Sequence, residues 1–225
     1  MRFINALAWA AWLALAGCGS APGANVSAAG AAGTAEADAV RERPVPCIVQ
    51  AHGMGAVLGA ASGKPAGTSC DNSVDPQRVP LDELILIIPD QHPAFYYILA
   101  SRLFAANRKD EAVFYFYAGQ LRYRIRLACH HELAPDVEPA LFASLQEEVG
   151  TLVNGYAGAD PDAWAASIER ARDWDARTRN GFEPKAPCQA QIADQRAGMG
   201  ALIDQIRGNR DQILAQRRAN GLPNR

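Results

Sequence analysis

Five cysteines, a pair of adjacent histidines and a group of arginines are the side chains in this 225-residue chain whose types and spacing could do chemistry. The cysteines are Cys18, Cys47, Cys70, Cys129 and Cys188. No two of them form the CxxC pair used by structural zinc sites, so no metal site is expected, and the last four read as two disulfides. Three connectivities are open. The favoured one joins Cys47 to Cys70, stapling a glycine-rich segment that has little else to hold it, and Cys129 to Cys188, tying the end of the central helix to the start of the last. His130 and His131 would point about 100° apart on a helix and cannot chelate one ion together. They read as surface histidines at a helix C-terminus, where their charge suits the dipole.

Two glycine-rich patterns fail on inspection. Gly55 to Lys64 would need glycine at 58 and a hydroxyl residue at 65 to cradle a phosphate, and the chain has Leu58 and Pro65. His52-Gly53-Met54-Gly55 could form an oxyanion-type turn, but no GxSxG nucleophile elbow accompanies it. No pairing of nucleophile with base, and no carboxylate constellation, stands out. An enzyme is therefore the least favoured class, and no cofactor is implied.

The elements that must position any site centre on His92 to Cys129, which reads as two helices folded back on each other with Asn107 to Asp110 at the turn. Nine of the chain's 17 aromatic residues lie between Phe95 and Tyr123, so the core must be built largely from this hairpin. On a wheel of about 100° per residue, Phe114, Tyr117, Ala118, Leu121, Ile125 and Ala128 share one arc of the second helix. Gln120 and Arg124 interrupt that arc as i, i+4 neighbours. They form either a buried hydrogen-bond network or the polar floor of a groove. Glu111, Tyr115, Arg122 and Arg126 occupy the sector that reads as solvated. There Tyr115, Arg122 and Arg126 make a candidate partner-binding patch, with an aromatic ring for stacking and guanidinium groups for carboxylates. Tyr97 or Tyr115 is expected to stay partly exposed, since hiding all nine rings is difficult.

Around the hairpin, Pro80 to Ile88 suits a short helix or a buried strand, and Asp90 or His92 can cap the helix that follows. Glu138 to Tyr156 carries an apolar stripe. Asp160-Pro161 reads as an N-cap and first-turn proline opening a helix to Arg177, with Trp164, Ile168 and Ala171 inward. A last helix spans about Cys188 to Ala219, with Gly198, Gly200 and Gly208 weakening its continuity. The expected fold is an all-α bundle of five or six helices. Three regions divide the chain: a signal peptide over 1–17, a tether rich in Ala, Gly and Ser over 18–43, and one helical domain over 44–225.

At the N-terminus, Arg2 precedes an apolar run from Phe3 to Ala16 of about 14 residues, too short to span a bilayer. It ends in Leu15-Ala16-Gly17-Cys18, which resembles the lipobox of bacterial lipoproteins. The resemblance implies cleavage before Cys18, lipidation (palmitate among the acyl chains) on that cysteine, and anchoring to a membrane without spanning it. Gly19 stands where an inner-membrane retention signal would carry Asp, which points to the outer membrane, facing the periplasm. Cleavage removes one positive charge, Arg2, taking the formal charge from -2 to -3. Neither a nucleic-acid footprint nor a polybasic patch follows from that balance.

Leu99 to Gln120, LASRLFAANRKDEAVFYFYAGQ, resembles the two-helix unit of Sel1-like and tetratricopeptide repeats, with a small residue and leucine on the first helix and Asp-Glu-Ala opening the second. It implies an αα-hairpin and a tendency to bind proteins or peptides. Small, single-domain lipoproteins with disulfides also resemble, as a type, immunity proteins that neutralise secreted antibacterial toxins. The leading expectation is a periplasmic lipoprotein that binds a protein partner, an immunity protein in its narrowest form. A structural or assembly lipoprotein of the envelope is the alternative.

Overall fold

The computed structural model describes residues 73–183 and 188–225. The expected signal peptide and tether, with Cys18, Cys47 and Cys70, lie outside the described residues. Within them the chain is all-α, with seven α-helices, one 3-10 turn and no strand. None of these helices is long and apolar enough to cross a membrane. Helix α1 (Leu81–Ile87) follows Pro80 and carries Asp82 and Glu83 in its first turn, so the helical alternative holds for this segment. It runs into the 3-10 turn Ile88–Asp90, where Pro89 cannot continue the helix.

The hairpin consists of α2 (Ala94–Ala105) and α3 (Lys109–Cys129). His92 acts as the cap anticipated for α2, its Nδ1 accepting the Ala94 N–H at 3.1 Å. Asn107 adopts φ 61°, the left-handed conformation that asparagine tolerates best after glycine. There the Arg108 N–H reaches Leu103 O at 2.9 Å and the Asn107 N–H reaches Phe104 O at 3.1 Å, which satisfies the last carbonyls of α2. The two helices cross where Gly119 meets Tyr96, and a Cβ on Gly119 would collide with the Tyr96 Cβ.

Helix α3 packs against α2 and also against α4 (Glu138–Ala157), α5 (Pro161–Arg177) and α6 (Gln189–Gly208), which makes it the central element. Asp160 caps α5 by accepting the Ala163 N–H at 3.0 Å. The single last helix expected from the sequence is instead two, α6 and α7 (Arg210–Ala219), joined at Asn209. Gly208 offers the least helix propensity short of proline, and the Asn209 side chain donates to Gln205 O at 2.7 Å, competing with the helix ladder.

The aromatic core stacks edge to face, with Tyr97 5.4 Å from Phe116 and 6.3 Å from Tyr123 between ring centroids. Tyr97 is 0% exposed, which corrects the expectation that it could stay at the surface. Phe104, Phe114 and Tyr115 are the half-buried members of the nine. Burial of the others succeeds because their hydroxyls find partners: Tyr117 donates to Asn154 at 2.8 Å and accepts from the Trp164 indole at 2.8 Å.

Candidate functional site

Arg122 and Arg126 lie one turn apart on α3 and correct the solvated sector drawn from the helical wheel. Arg122 is 0% exposed and Arg126 is 6% exposed, so no surface patch joins them to the half-buried Tyr115. The physical reason is that acceptors from other elements meet them in the interior. A wheel built on one helix cannot register those partners.

Arg122 uses all five of its N–H donors. Its Nε reaches Asp175 Oδ1 at 3.1 Å, Nη1 reaches Pro89 O at 2.9 Å and the Tyr96 hydroxyl at 2.6 Å, and Nη2 reaches Thr178 O at 3.3 Å and Arg179 O at 3.1 Å. The guanidinium also lies over the Trp174 ring, 4.5 Å from its centroid. One side chain thereby joins α2, the 3-10 turn, α5 and the loop after α5. Asp175 completes the arrangement by accepting from Arg196 on α6 at 2.7 Å through Oδ2.

Arg126 is held by carboxylates. Its Nη2 donates to Glu138 Oε1 at 2.8 Å and its Nη1 to Glu183 Oε1 at 2.6 Å. Glu138, at the first turn of α4, also accepts from the Tyr123 hydroxyl at 2.8 Å and from His92 Nε2 at 3.1 Å. Because His92 Nδ1 accepts from the Ala94 amide, its proton sits on Nε2, and no lone pair is left for general-base work. Burial pushes the His92 pKa down, against the opposing hydrogen bond to Glu138. Burial would raise the Glu138 pKa, but the hydrogen bonds and charges of His92 and Arg126 hold it down at about 2. His130 bonds Glu183 Oε2 at 2.7 Å and Glu132 Oε1 at 2.8 Å. Burial works against its charge, yet these two carboxylates raise its pKa.

Both clusters support one cleft of about 360 Å³, lined in part by Ile125, Asp175, Arg177, Asn180, Glu183 and Arg196. Cys129 also lines it and is bonded to Cys188, with Cα atoms 5.7 Å apart, so the second of the two expected disulfides is present and fixes the cleft's edge. The loop after α5 is docked from below by Arg122 and from the side by the Gly181 N–H, which donates to Pro89 O at 3.0 Å. A Cβ at Gly181 would overlap Asp90 Oδ1, so a larger residue there would displace the Asp90 carboxylate. Arg179 closes the same contact from outside, pairing with Asp90 at 2.5 Å.

Gln120 joins a neutral chain on the opposite flank, donating to Gln146 at 2.9 Å, which donates to the Tyr97 hydroxyl at 2.5 Å. Arg124 is half-buried with its guanidinium 5.6 Å from the Phe142 ring centroid. Neither residue lines the cleft. Asp175, Glu138, Glu183, His92, Arg177 and Arg196 belong to the site or its supports and escaped the sequence reading. Asp175 carried a legible signal: it continues the inward stripe of Trp164, Ile168 and Ala171 by one more turn. Glu138 reads equally well as a charge favouring a helix N-terminus, which conceals its buried role.

No family model matches the chain, and neither the curated proteins nor the solved structures include a significant match to it.

Proposed function

We propose that this chain is a lipid-anchored, periplasm-facing lipoprotein of the bacterial envelope that binds a protein partner through the cleft between the end of α5 and the start of α6. The observation that carries the reading is the cleft itself: a concavity of about 360 Å³ whose walls are fixed by a disulfide and two buried arginines while Arg177, Arg179 and Asn180 stand at its rim. A rigid frame of this kind lowers the ordering cost of docking. Anchoring is supported by the Leu15-Ala16-Gly17-Cys18 run after the apolar segment, and the tether from Cys18 gives the domain reach from the bilayer. The narrowest form of the reading is an immunity lipoprotein.

Site-specific photo-crosslinking in the cell tests the docking. A crosslinker placed at Asn180 should give a discrete protein adduct, whereas one at Leu152, a leucine exposed on α4, should not. Equal adducts at both positions, or none at Asn180, would remove the cleft from consideration. Cys18→Ala should abolish palmitate incorporation and membrane retention of the same protein. Unchanged labelling and retention would sink the anchor.

A further inference from the structure

We propose that the cleft recognises a single carboxylate, the side chain of an aspartate or glutamate presented by the partner, with Arg177 as its ion pair; this rests on the docking reading above. Among the described residues, the charged groups of the lining are three arginines, Arg177, Arg179 and Arg196, and two carboxylates, Asp175 and Glu183. Arg196 is engaged by Asp175 and Arg179 by Asp90, while Glu183 is held by Arg126 and His130. Arg177 is exposed and makes no ion pair among the described residues.

Among the described lining residues, Arg177 is thus the guanidinium without a carboxylate partner. A guanidinium fork fits a planar carboxylate through two parallel hydrogen bonds. A dianion such as a phosphate monoester would set more negative charge beside Asp175 and Glu183 than a single carboxylate does. Asn180 adds a donor, because its Oδ1 already accepts from the Glu183 amide and its Nδ2 is left for a ligand. Ile125 and Ile192 supply an apolar wall for the methylene stem of the incoming side chain. The first turn of α6, with Gln189 and Ile192 on the cleft, adds its partial positive charge to the same space.

The probe is a capped pentapeptide, Gly-Leu-Glu-Leu-Gly, and its counterpart with glutamine at the centre, titrated into the full chain carrying 15N label. The glutamate peptide should move the Arg177 Nε–H resonance and the glutamine peptide should not. Arg177→Gln should weaken the response of the remaining cleft resonances at least tenfold, while Arg170→Gln, on the exposed face of α5, should leave it unchanged. Because the exposed Arg177 side chain bonds nothing among the described residues, its variant keeps the fold, and helical circular dichroism checks this. An equal response to both peptides, a response that survives Arg177→Gln, or no response at all overturns carboxylate recognition. Adducts at Asn180 that persist in any of these cases leave the docking reading standing. A peptide response without Asn180 adducts removes the protein partner, and the cleft is then a site for small carboxylates.

Discussion

Two arginines on one helix, one turn apart and both in the interior, are satisfied in different ways. Arg122 meets one carboxylate, three backbone carbonyls and a phenol oxygen. Arg126 meets two glutamates, and through them two histidines. Taking a guanidinium out of water costs several kcal/mol in either case, on the order of the desolvation penalty of any buried ion. At Arg122 that cost is offset largely by neutral acceptors that the backbone supplies. At Arg126 it is offset by groups that titrate. Burial of a charge does not by itself make a region sensitive to pH; the chemistry of its partners does.

Arg122→Ala should be the most damaging substitution at either arginine. It leaves Asp175, the Tyr96 hydroxyl and three carbonyls short of a donor in the interior, and the expected loss is about 3–5 kcal/mol in denaturant unfolding. A cost well below that range would show that these acceptors find other donors.

Glu138→Gln is the corresponding test at Arg126, with an expected cost of about 2–3 kcal/mol at neutral pH. The sign of its pH dependence follows from a carboxylate held at about 2 when folded, against an ordinary 4.5. Such a group stabilises the fold fully above 4.5 and loses that contribution as pH falls towards about 2. Urea midpoints of wild type and variant should therefore converge in acid. Parallel midpoints down to pH 3 would contradict this.

The smallest expected effect separates the two histidines. His92 has a lowered pKa, so its contribution is lost as pH falls below about 6.5, where the unfolded chain takes up the proton first. His130 has a raised pKa, so its contribution is complete below about 6.5 and lost as pH rises through the folded value. The opposing slopes place a stability maximum near that pH. His130→Gln should shift the maximum upward, with a change of about 1 kcal/mol or less, since the imidazole is partly solvated. Melting temperatures from pH 5.5 to 8.5 read the shift directly.

Much of the frame was legible in the sequence. Asp160-Pro161 marked the start of α5 because capping chemistry is local, and the aromatic density of residues 95–123 identified the central hairpin. The Cys129–Cys188 bridge was among the favoured pairings because a covalent tie between helix ends suits an even cysteine count. What could not be read was the fate of Arg122 and Arg126. Their partners come from elements up to 57 residues away, and a helical wheel treats arginine as a surface residue unless those partners are known. The break between α6 and α7 was signalled only faintly, by Gly208, and needed Asn209 beside it to take effect. The cleft was illegible for the same reason as the arginines: its lining combines the end of α3, the loop after α5 and the start of α6.

The reach of Arg122 also bears on the order in which the molecule assembles and comes apart. Tyr96 lies 26 residues before it, in the other arm of the hairpin, but Asp175, Thr178 and Arg179 lie 53, 56 and 57 residues after it. The hairpin can therefore close through short-range contacts while most of the guanidinium is still hydrated, and only the later arrival of α5 and its loop withdraws it from water. Interactions that form after the rate-limiting barrier govern how slowly a protein opens and leave its rate of folding nearly untouched. Arg122 is placed to act as such a late-closing bolt, one that lengthens the lifetime of the folded state once the whole bundle is in place.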